Sequence, residues 1–276
     1  MISVLILTKN EEHDLPACLA SLSWSDDINV FDSFSSDKTV DLAAQAGACV
    51  SQRHFDGYAS QRNAALQQLN FKHEWILILD ADERVSSELA EEMLSVIKTS
   101  LPEQSGFRMR RKDFLFGKWL KHAQISPFYI RLIKKGNARY HREINEVIEV
   151  NGKISDLTNS FDHFPFSKGI SHWIDKHNRY SSMEAQRFIQ EKSGEYQFSI
   201  FKAFFSKDFH QLRYHQKGLF YKLPGRPIIK WFYMVVIKRA FLDGFAGITY
   251  ATLQSIYEYF IVLKTREMLA KKNIKN

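Results

Sequence analysis

The chain is poor in several features that mark protein classes. Only two cysteines, Cys18 and Cys49, occur in 276 residues. Their spacing matches no metal-ligand motif and supports no disulfide framework, so a reducing compartment fits best. Long apolar runs are missing. The first, Val4-Leu-Ile-Leu7, leads straight into Lys9-Asn-Glu-Glu12 and is too short for a secretory signal. Residues 228–237 are interrupted by Lys230 and closed by Lys238 and Arg239; residues 240–263 are broken by Asp243, two glycines, Gln254 and Glu258. Neither stretch reads as transmembrane. Six prolines and twelve glycines form no low-complexity linker, and there is no internal repeat. After the first strand signal the loop Thr8-Lys-Asn-Glu-Glu12 has no glycine and two acids. Nucleotidyltransferases need a glycine-rich basic loop to cradle triphosphate there, so that class is disfavoured.

What the chain does have is a core and an uneven charge. It is 45% hydrophobic and 14% aromatic, which rules out a disordered chain. Residues 1–105 carry 7 Lys/Arg against 17 Asp/Glu; residues 106–276 carry 31 against 14. A basic, aromatic half suits nucleic acid or an anionic membrane surface. Aromatics interleaved with Lys and Arg at helical spacing favour the membrane interface over nucleic acid. The plainer alternative is a helical subdomain whose aromatics form its own core.

The stretch Trp75-Ile-Leu-Ile-Leu-Asp-Ala-Asp-Glu83 is the most informative. Its apolar run reads as a buried parallel strand. Its acids then fall at the C-terminal sheet edge, where open α/β sheets bind ligands. Alternation would point Asp80 and Asp82 to one side, with Ala81 between them. Paired carboxylates call for a cation, and hard oxygen ligands favour Mn²⁺ or Mg²⁺ with substrate phosphates. The alternative is a turn leading into a helix capped by Ser86 or Ser87.

Strand and helix signals alternate over the first hundred residues: strands at 3–8, 28–32, 48–51 and the Asp-Ala-Asp strand from Trp75, helices at 11–22, from Ser35 or Ser36 to Gly47, at 58–69 and at 88–98. This predicts a parallel sheet flanked by helices. Strands are expected at 106–111, 128–133 and 140–150, the last closed by an Asn151-Gly152 hairpin turn. From Lys168 onward the pattern is helical. The composition shift near residue 164 divides the chain into an α/β part at 1–163, expected to carry the ligand-binding sheet edge, and a helical, basic, aromatic region at 164–276.

These motifs together resemble the family 2 glycosyltransferases. The matching segments are Val4-Leu-Ile-Leu-Thr-Lys-Asn-Glu-Glu12, Val30-Phe-Asp-Ser-Phe-Ser-Ser-Asp-Lys-Thr-Val40, Gly57-Tyr-Ala-Ser-Gln-Arg-Asn-Ala-Ala-Leu66 and Leu77-Ile-Leu-Asp-Ala-Asp-Glu83, in the expected order. Arg142-Glu-Ile-Asn-Glu146, Trp173-Ile-Asp-Lys-His-Asn-Arg-Tyr180 and Phe241-Leu-Asp-Gly-Phe-Ala-Gly247 extend the likeness to bacterial members that build lipopolysaccharide or lipid-linked sugars. The resemblance implies a GT-A fold: an α/β, Rossmann-like mixed sheet with a helical C-terminal extension. It implies an inverting transfer from a nucleotide-sugar, a UDP-sugar first, to a lipid-linked saccharide on the cytoplasmic face of the membrane.

The resemblance also distributes roles. Asp32 would accept from the uracil ring, as an acceptor-only carboxylate suits a base N–H. Thr8, Asn10 and Glu11 would line base and ribose. Gln61, Arg62 and Asn63 would lie near ribose and diphosphate, with Arg62 clamping a phosphate. Asp82 would hold the metal, Asp80 would contact ribose or orient the metal's ligands, and Glu83 would support them. Family members often show His-Glu where this chain has Asn145-Glu146, which makes Glu146 the general base, with Glu143 and Glu149 competing. Lys176 and Arg179, with His177, would hold the acceptor's pyrophosphate; a solvated basic helix face is the alternative. A non-enzymatic binder of anionic surfaces would leave Asp32, Asp80 and Asp82 unexplained.

Overall fold

A computed structural model describes residues 1–124, 126–141, 147–193, 199, 201, 215, 220 and 223–274. The chain packs as two compact units, Met1–Phe114 with Ser126–Ser167 and Leu115–Ile125 with Lys168–Asn276. The junction at Ser167 lies near the compositional shift, but composition gives no sign that an internal segment joins the second unit.

In the first unit, β1 (Ile2–Thr8), β2 (Ile28–Asp32), β3 (Cys49–Gln52) and β4 (Trp75–Asp80) are parallel, with β1 central between β2 and β4. Helices α1 (Leu15–Ala20), α2 (Thr39–Gln45) and α3 (Tyr58–Gln68) connect them. The turn strand β5 (Glu83–Arg84) and α4 (Ser87–Thr99) follow. The sheet then turns mixed. Its order is β3-β2-β1-β4-β8-β6-β11-β5, with β6 (Gln104–Leu115), β8 (Tyr129–Lys134) and β11 (Lys153–His163). The short β7 (Lys118–Trp119) belongs to the second unit.

The unbroken apolar runs of β1 and β4 reflect burial on both faces. Val4, Ile6, Leu77 and Leu79 pack with Leu15, Leu19, Leu89 and Met93 of α1 and α4. Leu5, Ile76 and Ile78 face the other way, toward Phe31 and the alanines of α3. Leu77 has no exposed surface, so Leu77→Ala would cost about 2–5 kcal/mol through lost burial and a cavity.

Three expected elements differ. First, the strand ends at Asp80, and Ala81 and Asp82 form a turn before β5. Strand alternation no longer governs Asp82, so the two aspartates have different partners. Second, residues 140–150 are not one strand. β9 (Ala138–His141) and β10 (Val147–Val150) pair antiparallel as a separate ribbon. Asn151-Gly152 closes no hairpin, because β11 runs parallel to β6 instead. Gly152 has φ +126, and a Cβ there would collide with the Ser105 side chain, so this crossing needs glycine. Third, α2 begins at Thr39 rather than at Ser35 or Ser36. Ser35 donates to Asp32, and Ser36 N–H donates to Asn10. Asp37 instead accepts from Thr39 N–H at 3.0 Å. Ser86 does cap α4, accepting from Leu89 N–H at 3.3 Å.

The second unit is helical: α5 (Gly169–Ser193), α6 (Arg226–Phe232), a π-helical turn (Tyr233–Ile237), a 3₁₀ turn (Ala240–Asp243) and α7 (Gly244–Ile274). Lys264 of α7 donates to Asn178 Oδ1 at 2.6 Å and to Ser181 and Ser182 Oγ at 2.8 Å, which fastens it to α5. Glu258 of α7 faces Arg226 at 3.4 Å and Lys230 at 3.7 Å on α6. Among the described residues no helix is long and apolar enough to cross a membrane.

Candidate active site

The parallel strands bring their polar ends to one edge. Register pairs Thr8 with Asp32, Leu7 with Asp80 and Asp32 with Gln52. Asp32 is fully buried there. It accepts from Thr8 Oγ1 at 2.8 Å, Ser35 Oγ at 2.5 Å, Ser35 N–H at 2.8 Å and Gln52 Nε2 at 3.0 Å. Burial works against its charge, but these donors prevail and hold its carboxyl below the usual range. The four donors match a carboxylate's acceptor capacity, so a nucleobase N–H reaches Asp32 only by displacing one of them.

Asn10 (φ 57) and Phe34 (φ 58) flank this edge in the left-handed region, which is costly for non-glycine residues. Asn10 Oδ1 accepts from Ser36 N–H at 2.8 Å, and its own N–H donates to Ser35 Oγ at 2.8 Å. Lys9 Nζ donates to the carbonyls of Ser33, at 2.8 Å, and Phe34. Glu11 N–H donates to Thr39 Oγ1 at 2.8 Å. Thr8, Asn10 and Glu11 therefore knit the β1 loop to the β2 loop. Phe34, which sequence reasoning passed over, is exposed and stacks on His54 with centroids 4.1 Å apart.

Asp80 sits between two guanidiniums, Arg62 NH2 at 2.9 Å and Arg131 NH2 at 3.1 Å. Burial would raise its pKa, but these two charges hold it far below the carboxylate range. Arg62 thus pairs with the aspartate at this edge. Gln61 and Asn63 are framework. Gln61 bridges Arg53 and Ser33, and Asn63 exchanges two 2.8 Å hydrogen bonds with the Tyr140 backbone. Arg131 also reaches Glu83 at 2.5 Å, and Glu83 has no exposed surface. Burial pushes the Glu83 carboxyl up to about 7 despite Arg131, and Asp80 adds to the rise.

Asp82 faces His163 instead, with Oδ2 3.3 Å from Nε2. The other imidazole nitrogen meets Asp113 Oδ1 at 2.6 Å. Register explains the cluster: His163 pairs with Asp113 across β11–β6 and with Glu83 across β11–β5, and Phe164 N–H donates to Asp82 O at 2.9 Å. Burial disfavours charge on His163, but Asp113 and Asp82 outweigh it and push its pKa up to about 9. Among the described residues no three His, Cys, Asp or Glu side chains converge as a ready-made metal cage.

Residues 3–161 match the Glycosyl transferase family 2 model. The chain belongs to glycosyl transferase family 2. This glycosyl transferase is 31% identical over 229 residues to the lipopolysaccharide core biosynthesis glycosyltransferase LpsC of Rhizobium meliloti, covering 79% of the chain and 82% of LpsC. It is 26% identical over 288 residues to an uncharacterized glycosyltransferase of Rickettsia felis, covering 99% and 92% of the two chains. Its fold is similar to the mannosyltransferase PcManGT of Pyrobaculum calidifontis, solved with GDP-Man and Mn²⁺, at TM-score 0.55 and 15% identity over 96% and 86% of the two chains. The expected GT-A α/β architecture is therefore that of this glycosyl transferase.

Sequence reasoning missed three residues that the structure places beside Asp80 and Asp82: Arg131 next to Asp80, His163 next to Asp82, and Asp113 behind His163. None stands in a motif, and only strand register brings them to Asp80 and Asp82. Glu143 and Glu146 lie outside the described residues. Glu149 pairs with His141 at 2.9 Å on the separate ribbon. Lys176 and Arg179 are exposed on α5 in the second unit. His177 is turned toward its own helix. It stacks on Trp173 at 3.5 Å, donates to that residue's carbonyl, and is kept neutral chiefly by burial. Cys18 is buried, which pushes its thiol up to about 12 and removes it as a nucleophile.

Proposed function

We propose that the chain transfers a sugar from a UDP-sugar to a hydroxyl of a lipid-linked saccharide acceptor, with inversion, at the cytoplasmic face of the membrane. The observation that carries this reading is the shared edge. Thr8, Asp32 and Asp80 end adjacent parallel strands, and Asp82 with His163 stands in the turn beyond Asp80. Such an edge is where α/β sheets take nucleotides. The strained Asn10 and Phe34 beside Asp32 support a base and ribose site there.

A divalent cation suits the residues present. A carboxylate facing an imidazole, with Asp113 behind the imidazole, is a donor set acceptable to Mn²⁺. Mg²⁺ and Mn²⁺ sites commonly take one or two protein ligands and complete their shell with phosphates and water, so a three-residue cage is not required. Asp82 and His163 would hold the ion, His163 giving up its proton, while Asp113 orients the ring. When bound, the ion supplies positive charge for the departing diphosphate.

The chain's own residues do the remainder. Arg62 and Arg131 keep Asp80 ionised and fixed, ready to accept from the donor's ribose. Glu146 takes the proton of the acceptor hydroxyl as that oxygen bonds to the anomeric carbon. The bond from that carbon to the diphosphate breaks on the opposite face, which inverts the configuration. Lys176 and Arg179 would meet acceptor phosphate.

The test is release of nucleoside diphosphate from a panel of UDP- and GDP-sugars, with and without Mn²⁺, beside a nucleotide-dependent thermal shift. Metal-dependent release from one donor is expected. No release from any donor, together with no Mn²⁺-dependent shift on adding UDP, would overturn the reading.

A further inference from the structure

In the second unit, Asp243 is a buried clamp. Its Oδ2 accepts from the backbone N–H groups of His122 at 2.8 Å and Ala123 at 2.7 Å, and its Oδ1 lies 2.7 Å from His122 Nδ1. Tyr250 Oη donates to Gln124 Oε1 at 2.8 Å. These bonds fasten the segment around β7 to the start of α7. A Cβ on Gly247 would collide with the Ala240 carbonyl, so α7 begins directly against the 3₁₀ turn.

This fixed base displays apolar side chains to solvent. Phe245 is 78% exposed, Ile228 76%, Ile237 63% and Phe116 60%. Phe232, Val236, Phe241 and Leu242 are exposed as well. Phe116 stacks on Phe245 with centroids 5.9 Å apart, so the two segments contribute to one surface. An apolar patch of this kind marks an interaction site.

Its charge is of one sign. Residues 115–124 and 226–248 contribute Lys118, Lys121, Lys238 and Arg239 to it, while the buried Arg226 and the half-buried Lys230 are paired with Glu258 of α7; the single acid within these stretches is the buried Asp243. Lys118 Nζ comes within 3.5 Å of where a Gly244 Cβ would stand, Lys121 lies over the Trp119 ring and Lys238 over the Tyr233 ring. Trp119, Trp231 and Tyr233 are themselves partly exposed, the residues that favour a membrane–water interface. A second copy docked face to face would bring like charges together, which argues against self-association. An anionic bilayer complements both the apolar tip and the cationic rim.

We propose that this apex, centred on Phe116, Phe241, Leu242 and Phe245, inserts into the headgroup boundary of an anionic membrane and is the docking surface of the enzyme. It deepens the membrane part of the proposed function and rests on it. It assigns docking to the α6–α7 apex rather than to the exposed Lys176 and Arg179 of α5.

The test is co-sedimentation of the full chain with acceptor-free vesicles of phosphatidylglycerol and phosphatidylcholine, and of phosphatidylcholine alone, at low and high salt. The wild type should bind the anionic vesicles, more weakly but still measurably in high salt, because screening acts only on the charge contribution. Phe241→Ser with Phe245→Ser should lower the partition coefficient at least about tenfold, since each ring removes apolar contact. The melting temperature of this variant should hold, as both rings are exposed. Lys176→Ala with Arg179→Ala should keep most binding. Wild-type partitioning by the double phenylalanine variant would overturn the proposal. So would absence of wild-type binding, or a dimer in sedimentation velocity that the phenylalanine changes abolish without any vesicle binding. UDP-sugar hydrolysis, read on the same preparations without vesicles, separates the two failures: normal hydrolysis with no vesicle binding sinks docking alone, whereas absent hydrolysis with vesicle binding sinks the transferase reading alone.

Discussion

Replacing Asp32 with asparagine tests how the nucleotide edge is held. The change is nearly isosteric, so its cost arises from hydrogen bonding and charge. The carboxylate accepts four bonds, from Thr8, Gln52 and twice from Ser35. In the Asp32→Asn variant only the amide oxygen still accepts. If it keeps the Thr8 and Ser35 hydroxyls, the new NH₂ faces Gln52 and Ser35 N–H. Gln52 can turn its amide and accept; the Ser35 backbone cannot. One half-buried N–H then loses its partner, at up to about 1–3 kcal/mol, and the surviving bonds lose their charge assistance, at about 1 kcal/mol more. Urea unfolding should show a loss of about 2–4 kcal/mol on that count. UDP affinity by calorimetry should fall as well, because the β1 and β2 loops lose their common anchor. The pH dependence follows from the depressed folded pKa. Asp32 contributes its stability above the unfolded value of about 3.9, and that contribution is lost as pH falls through the lower folded value. Wild type should therefore lose more stability than Asp32→Asn below about pH 4. A variant within about 0.5 kcal/mol of wild type, with unchanged UDP affinity, would refute the reasoning.

The other predictions concern the metal, the buried charges and the base. Asp82→Asn should abolish Mn²⁺-dependent diphosphate release and the Mn²⁺-dependent thermal shift while leaving the fold intact; full activity would remove Asp82 from the metal site. Asp113→Asn should weaken Mn²⁺ affinity about 10–100-fold, the usual worth of a group that orients a histidine ligand, and calorimetry with Mn²⁺ and UDP reads it. Arg131→Met strips Glu83 and Asp80 of a shared cation and should destabilise by about 3–5 kcal/mol in urea, with partial recovery in Arg131→Met with Glu83→Gln. No recovery would mean that packing around Arg131, not its charge, is what matters. Glu146→Gln should lower turnover by about 10²-fold or more with donor binding retained; a normal rate there, and loss in Glu143→Gln, would move the base to Glu143.

Local pattern carried most of the fold. The strands at 28–32 and 75–80 and the helices at 58–68 and 87–99 stand close to where periodicity and the Ser86 cap put them, because both-face burial and end-capping leave their mark over a few consecutive residues. The elements misjudged are those decided at a distance. Ser35 would make a good N-cap, but Asp32 takes it. Residues 140–150 alternate well enough for one long strand, yet β9 and β10 pair with each other as a ribbon. Asp80 and Asp82 were expected on one side by strand alternation, which stops applying once the chain turns at Ala81.

What the sequence by itself determined is the parallel α/β frame, the delivery of Thr8, Asp32 and Asp80 to one edge, and membership of the glycosyl transferase family, since each depends on short, ordered motifs. Only the tertiary structure decided what those acids face. Arg131, Asp113 and His163 come from β8, β6 and β11, far along the chain from Asp80 and Asp82, and antiparallel and parallel registers bring them together. A cation's charge is visible in a sequence, but its partner is set by a register that no local periodicity encodes. The same holds for Asp243, whose burial against the backbone of His122 and Ala123 turns two separate apolar segments into one exposed surface.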